Sequence, residues 1–370
     1  MIQLAKPKIT AEDKQAVLDV LNTTQHSLGP KKKEFEENFA KFIGTKYALA
    51  VNSGTSALHL CMIASGINQD DEIITSPFSF IASANVILMC NAKPVFVDIN
   101  AKTFNFDENK IEQAITSKTK AILPVHIFGQ PCNMEKIMEI AKKHNLIVIE
   151  DACESIGAKF NKTKVGTFGK AGVFSFYPNK QLNTTEGGVI VTDDKEFYDI
   201  CNSLHNQGRV DTGQWLQHSF LGYNYRLGEL NCALGISQLN RINSIISNRQ
   251  EVAEKYNKAL SNIQGINIPH TEDYAEHSWF VYTITLDKSF NRNEIIREMN
   301  KRNIQTKGYF PSIHLQQLYK DLFGYKKGSF PISEDISNRT LTLPFYEELT
   351  NEDIKIVVEN LKEVLNEQAI

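Results

Sequence analysis

Ala171-Gly-Val-Phe-Ser-Phe-Tyr-Pro-Asn-Lys180-Gln-Leu-Asn-Thr-Thr-Glu-Gly-Gly188 is the stretch whose reading decides the fold. The apolar run from Val173 to Tyr177 reads as a buried strand, Pro178-Asn179 as a turn, and Lys180 stands just beyond it. Lysines are almost never buried. An amine at the end of a core strand suits one whose charge must be suppressed so that it can attack a carbonyl and form a Schiff base. Ser175, five residues earlier, can point a hydroxyl toward the same place. Taken alone, the plainer reading is the stronger: a strand, then a surface lysine in a Gly-rich loop.

Working outward, short apolar runs alternate with helical patterns. Tyr47–Val51 reads as a strand that runs through Asn52-Ser-Gly-Thr-Ser56 into a helix, an arrangement that turns free backbone N–H groups toward an anion. Further strands are expected at 72–75, 94–98, 121–128 and 146–151, with helices at 108–116 and 134–144. Thr10-Ala-Glu-Asp13 resembles a capping box. This alternation predicts an α/β fold with a mostly parallel sheet flanked by helices, and ligands gathered outside the strand C-termini. The chain changes character near residue 240. An alternating strand at 279–286, a helix at 293–302 and a final helix at 351–366 predict a smaller α+β domain. The expected division is a large domain over 1–240 and a small one over 241–370.

Composition excludes several function classes. A formal net charge of −3 offers no footprint for nucleic acid, and Lys31-Lys32-Lys33 is answered at once by Glu34, Glu36 and Glu37, as on a solvated helix face. No segment reaches membrane-spanning length and no leader pattern opens the chain, so a cytoplasmic protein is expected. The six cysteines are scattered, without a C-x-x-C pair, and read as core residues in a reducing compartment. The nine histidines show no metal-binding spacing, so no metal is expected.

Four features converge at predicted strand ends: an anion cup at Ser53–Ser56, an aromatic at Phe80, an acid at Asp151 and an amine at Lys180. Pyridoxal phosphate needs this set. Its phosphate suits a helix N-terminus, its ring a flat apolar partner, its pyridine nitrogen a carboxylate and its aldehyde a lysine. Gly-x-Gly-x-x-Gly and Gly-Lys-Ser/Thr loops are missing from the sequence.

At these residues the sequence resembles the pyridoxal-phosphate-dependent nucleotide-sugar aminotransferases of the DegT/DnrJ/StrS type, of aspartate-aminotransferase-like fold type I. The resemblance runs nearly end to end through Asn52–His59, Pro77–Ser83, Pro124–Gln130, Glu150–Ser155, Phe174–Lys180, Gly222–Arg226 and Tyr309–His314. It implies that Lys180 carries the cofactor as a Schiff base and later moves the proton, and that Asp151 pairs with the pyridine nitrogen. Thr55, Ser56 and Ser175 would bind the phosphate, and Phe80 would stack on the ring. Asn224 and Arg226 would reach the neighbouring subunit's cofactor and substrate, so a homodimer with shared active sites is implied. Glu154, where Gln or His is commoner, would lie beside the cofactor's phenolic oxygen. Relatives that act as dehydratases have His at the lysine position, and Lys180 argues against that branch.

The implied reaction moves an amino group from L-glutamate to a nucleotide-linked keto sugar. The wording of residues 176–188 looks closest to members that aminate C4 of NDP-4-keto-6-deoxyhexoses for lipopolysaccharide, O-antigen or another surface polysaccharide. A C3-specific enzyme, another pyridoxal-phosphate enzyme of the same fold and a non-catalytic regulatory homologue are the alternatives. Substrate contacts are expected from Trp215 in the polar segment 205–220, from Tyr309 and from His314, against the plainer readings of an exposed loop and a structural histidine.

Overall fold

The computed structural model describes residues 1–210 and 216–368. Its strands are β1 (Tyr47–Val51), β2 (Glu72–Thr75), β3 (Lys93–Phe96), β4 (Thr119–Ile122), β5 (Ile147–Asp151), β6 (Lys159–Phe160), β7 (Thr163–Lys164), β8 (Ala171–Ser175), β9 (Gly188–Thr192), β10 (Ile266–Asn267), β11 (Ala275–Glu276), β12 (Tyr282–Leu286) and β13 (Thr340–Leu343). Its helices are α1 (Ala11–Leu21), α2 (Pro30–Ile43), α3 (Gly54–Ala64), α4 (Ala82–Met89), α5 (Met134–His144), α6 (Lys195–Leu204), α7 (Glu229–Asn240), α8 (Ile242–Leu260), α9 (Arg292–Lys301), α10 (Gln317–Phe323), α11 (Pro331–Arg339) and α12 (Asn351–Gln368).

Seven strands form a sheet in the order β1-β9-β8-β5-β4-β2-β3. Pairing is parallel from β8 through β5, β4 and β2 to β3. Only β9 runs against its neighbours, β1 and β8. The strands that precede Ser53, Asp151 and Lys180 therefore all point the same way, and their C-terminal ends share one edge. Alternate side chains go to opposite faces, as strand geometry requires. Val173 and Ile190 pack with Leu58 and Leu60 of α3, while Phe174, Val189 and Val191 pack with Phe35 and Phe39 of α2. The Phe39 ring meets Phe174 and Phe176 edge-on at 5.3 and 5.4 Å, contacts worth about 0.5–1.5 kcal/mol each beyond burial.

A second sheet, β10-β12-β13, carries a separate core with α8, α9 and α12 around Tyr256, Tyr282 and Phe345. Helix α8 spans both cores: Ile242 and Ile245 pack with the first, and Val252, Tyr256 and Leu260 with the second. The N-terminal residues also join this second layer, with the Ile2 N–H donating to Asn303 and the Leu4 carbonyl accepting from Phe345. The Thr10–Asp13 capping box forms, and Asp13 continues inward to Ser237, Gln238 and Arg241.

Several local expectations change. Residues 108–114 form two single 3-10 turns, because Ile111, Ala114 and Ile115 make too short an apolar stripe to hold a helix. The strand expected at 121–128 stops at Ile122, since Pro124 has no N–H for the ladder. β12 begins at Tyr282, after Trp279 takes a left-handed φ of 53°. Of the three lysines expected on a solvated face, Lys32 is buried and pairs with Glu36 at 2.5 Å, because α2 lays that face on α7.

Candidate active site

The cup at the end of β1 is built by a helix cap. Ser53 Oγ accepts from the Ser56 N–H at 3.0 Å and lies 2.9 Å from Ser56 Oγ. The Ala57 N–H goes to the Ser53 carbonyl. The Gly54 and Thr55 amides and the Thr55 and Ser175 hydroxyls have no hydrogen-bond partner among the described residues. They sit where the positive end of α3 meets the end of β8, and such an arrangement attracts an anion. Glycine is required for the approach. A Cβ on Gly54 would lie 2.9 Å from the Ser175 Cβ, and one on Gly188 would lie 2.6 Å from the Ser53 carbonyl.

Asp151, the last residue of β5, is buried and wired on both oxygens. Ser83 Oγ donates to one at 2.7 Å, and the Cys153 N–H donates to the other at 3.2 Å. Ser83 was not singled out in the sequence, and its only signal is a small residue in the first turn of α4. The preceding Glu150 points to the other side of the strand, taking N–H groups from Gly166, Phe168 and Gly169. It also meets His126 Nε2 at 3.2 Å. His126 Nδ1 accepts from the Cys132 N–H, so its Nε2 carries the hydrogen.

Lys180 follows β8 across the Pro178 turn. Its Nζ lies 3.2 Å from Glu154 Oε1 and 3.7 Å from the centre of the Phe280 ring, and only 12% of the side chain is exposed. The other Glu154 oxygen accepts from the Phe128 N–H at 3.0 Å. Burial, opposed by the Lys180 charge and the Phe128 N–H, leaves the Glu154 carboxyl above its usual range. Phe128 adopts a left-handed φ of 57°, and its carbonyl takes the Phe280 N–H at 2.9 Å. Behind the lysine, Gln181 donates to the Glu154 carbonyl at 2.7 Å and to Ser278 Oγ at 3.1 Å. Phe128, Phe280 and Gln181 were legible only as apolar or polar positions, because their partners are distant in sequence.

The remaining predicted residues divide. Tyr309 is half-buried near this cluster, its hydroxyl pKa pushed up by burial and then by the charges of Glu154 and Tyr177. Phe80 is 60% exposed at the same edge. The stretch holding Asn224 and Arg226 runs beside the end of β1, where Val51 bridges Arg226 and the Asn52 N–H donates to the Tyr225 carbonyl. Arg226 donates to Asn206 at 2.9 Å, while Asn224 is exposed. His314 does not reach the open edge. It is fully buried, 3.0 Å from Glu334, against the Phe330 ring. Trp215 lies outside the described residues.

Residues 7–362 match the DegT/DnrJ/EryC1/StrS aminotransferase family. The chain belongs to that family. It is 36% identical to GDP-perosamine synthase of Escherichia coli O157:H7, over 99% of each chain. It is 37% identical to the spore coat polysaccharide biosynthesis protein SpsC of Bacillus subtilis, over 97% of this chain and 96% of that one. Among solved structures it resembles Helicobacter pylori PseC, an aminotransferase involved in pseudoaminic acid biosynthesis, at a TM-score of 0.94, 31% identity and 99% coverage of both chains. It also resembles the PLP form of Spr1654 from Streptococcus pneumoniae, at a TM-score of 0.94, 27% identity and 99% coverage of both. The protein is a pyridoxal-phosphate-dependent sugar aminotransferase of fold type I. The residues present suit that cofactor: free donors line the cup, a wired carboxylate ends β5, and a largely buried amine follows β8. Among the described residues no helix is long and apolar enough to cross a membrane, and no group of side chains could hold a metal ion.

Proposed function

We propose that the enzyme moves an amino group from L-glutamate to C4 of a nucleotide-linked 4-keto-6-deoxyhexose, for a surface polysaccharide such as an O-antigen. The observation that carries the reaction class is the shared strand edge, where Lys180 stands among the Ser53–Ser56 cup, Asp151 and Glu154. The likeness to GDP-perosamine synthase supports a C4 product, and that to SpsC supports a polysaccharide destination.

Each residue has a role in this reading. The Gly54 and Thr55 amides, with the Thr55 and Ser175 hydroxyls, hold the phosphate, and Ser56 shapes the cup through Ser53. Asp151, oriented by Ser83, holds a proton on the pyridine nitrogen, and Phe80 covers the ring. Bound pyridoxal phosphate supplies the electron sink that lets a Cα–H bond break. Lys180 moves the proton, and its short reach keeps that transfer on one face. Tyr309 lines the sugar side.

In this reading the working unit is a homodimer in the cytoplasm. Asn224 and Arg226 of one subunit would complete the other's site. Phe80 and Tyr177 are exposed apolar residues, and so are Phe220 and the 88% exposed Leu221 just before the Asn224–Arg226 stretch, which supports the pairing. Incubation with L-glutamate and a panel of nucleotide 3-keto and 4-keto sugars, followed by NMR of the products, tests the assignment. An amine at C4 is expected. An amine at C3, or turnover only with non-nucleotide ketones, overturns it.

A further inference from the structure

Lys180 and Glu154 form a buried pair whose function the phosphate cup and Asp151 do not explain. A lysine held as an ammonium has no lone pair with which to attack a carbonyl or remove a proton. Free alkylammonium groups keep their proton at neutral pH, so a lysine that is to act as a nucleophile needs a nearby group to take it. Glu154 Oε1 is 3.2 Å from Nζ, within reach of direct transfer. Both side chains are nearly sealed, at 12% and 6% exposure, and burial penalises the separated charges more than a neutral amine beside a neutral acid. The charged and titratable groups that face the pair are Asp151 at the end of β5, Cys153 beside it and Tyr309 across the cleft.

The surroundings act on the two forms in opposite directions. The Phe280 ring, 3.7 Å from Nζ, and the Phe128 N–H, 3.0 Å from Glu154 Oε2, favour the ion pair. Desolvation favours the neutral one. Both holding groups hang on a single residue, because the Phe128 N–H donates to Glu154 and its carbonyl accepts from Phe280.

We propose that Glu154 is a catalytic residue: its Oε1 accepts the proton that Lys180 Nζ must lose to become nucleophilic, and returns it when the lysine is protonated again. In the forward transfer one N–H bond breaks, its electron pair stays on nitrogen and one O–H bond forms on the carboxyl. The pair is neutral overall on both sides, so no charge enters or leaves the buried site. The proposal rests on the aminotransferase reading for its purpose. It concerns only this chain's own residues.

The test is the pH dependence of Lys180 acetylation by acetic anhydride in the full-length chain freed of cofactor, measured by peptide mass spectrometry against exposed Lys33. Internal transfer makes a constant fraction of free amine wherever the pair is net neutral. Wild type should therefore show two rises in labelling rate separated by a plateau. Glu154→Gln keeps an acceptor for the Phe128 N–H but cannot take the proton, and should show one rise only. Phe280→Leu removes the ring that favours the ammonium, and should lift the wild-type plateau about 2- to 30-fold. A single rise in wild type, or a plateau that persists in Glu154→Gln, overturns the proposal. Because no substrate enters the measurement, an error in the sugar assignment would show in the product panel and leave this result intact.

Discussion

Gly188→Ala is the most searching test of the phosphate cup. Gly188 opens β9, pairs with Val51 on one side and Ser175 on the other, and lies against the first residue of the α3 cap. A Cβ there would sit 2.6 Å from both the carbon and the oxygen of the Ser53 carbonyl and 2.7 Å from the Gly54 nitrogen. Ordinary contact begins near 3.4 Å, so the separation must grow by 3.4 − 2.6 = 0.8 Å, and the obstacle is backbone on both sides. A hydrogen bond of about 2.8 Å stretched by that amount is no longer one. One charge-assisted bond to an anion is worth about 1.5–3 kcal/mol, so the cofactor dissociation constant should rise about 10- to 150-fold. The assay is a fluorescence titration of the cofactor-free protein with pyridoxal phosphate. Gly228→Ala serves as the companion variant, since its Cβ first meets a flexible Asn231 amide at 3.3 Å. A dissociation constant within threefold of wild type, in a variant with an unchanged circular dichroism spectrum, would refute the reasoning.

Other outcomes follow from single contacts. Lys180→Ala should lose transamination by more than about 10³-fold while still binding cofactor through its phosphate; full activity in a glutamate-dependent assay would sink the role given to Lys180. His205 is buried with its Nδ1 on the Asn202 carbonyl, and burial, helped by the Lys32 charge, pushes its pKa from 6.5 down to about 3. Its folded pKa is depressed, so its contribution is complete above pH 6.5. Stability then falls as pH drops toward 3, by about 1.4 kcal/mol per unit, as the unfolded chain takes up a proton that the fold rejects. Urea midpoints at pH 7 and 5 should converge in His205→Gln, and an undiminished pH dependence would exclude this residue as the cause. Burial pushes the Asp13 carboxyl up, but Ser237, the Thr10 N–H and Arg241 pull it below its usual range. The stability it adds is present above pH 3.8 and lost as pH falls through the lower folded value. At pH 7, Asp13→Asn should cost about 1.5–3 kcal/mol, seen as faster hydrogen exchange in α1 and α7; unchanged exchange would mean that the capping box works without its inward contacts.

The parts of the site legible in the sequence are those set by local chemistry. Ser53-Gly-Thr-Ser56 after an apolar run is a helix cap wherever the chain puts it, and Ser53 does cap α3. The lysine after Pro178-Asn179 and the Asp at the end of 147–151 could be placed at strand ends from apolar spacing alone. Alternation of strands and helices then implied that parallel strands bring those ends to one edge. Local pattern failed where a partner outside the segment decides the backbone. Pro124 marks the end of the regular strand, but nothing within 121–128 says that the backbone turns at Phe128, because that residue is held by Glu154 and Phe280. Lys32 looked like its exposed neighbours because burial on α7 is a property of another helix, 197 residues away at Glu229.

The lysine after β8 shows the division most plainly. By itself the sequence determined that an amine follows a core strand, with a serine before it and glycines after it, and resemblance to a known family implied a Schiff-base role for that amine. Only the tertiary structure decided the amine's surroundings: a carboxylate from the loop after β5 at 3.2 Å and an aromatic ring from the segment before β12 at 3.7 Å. Charge and ring are 26 and 100 positions away from Lys180. No periodicity can report such contacts, because the fall-off of electrostatics with distance acts through space and not along the chain.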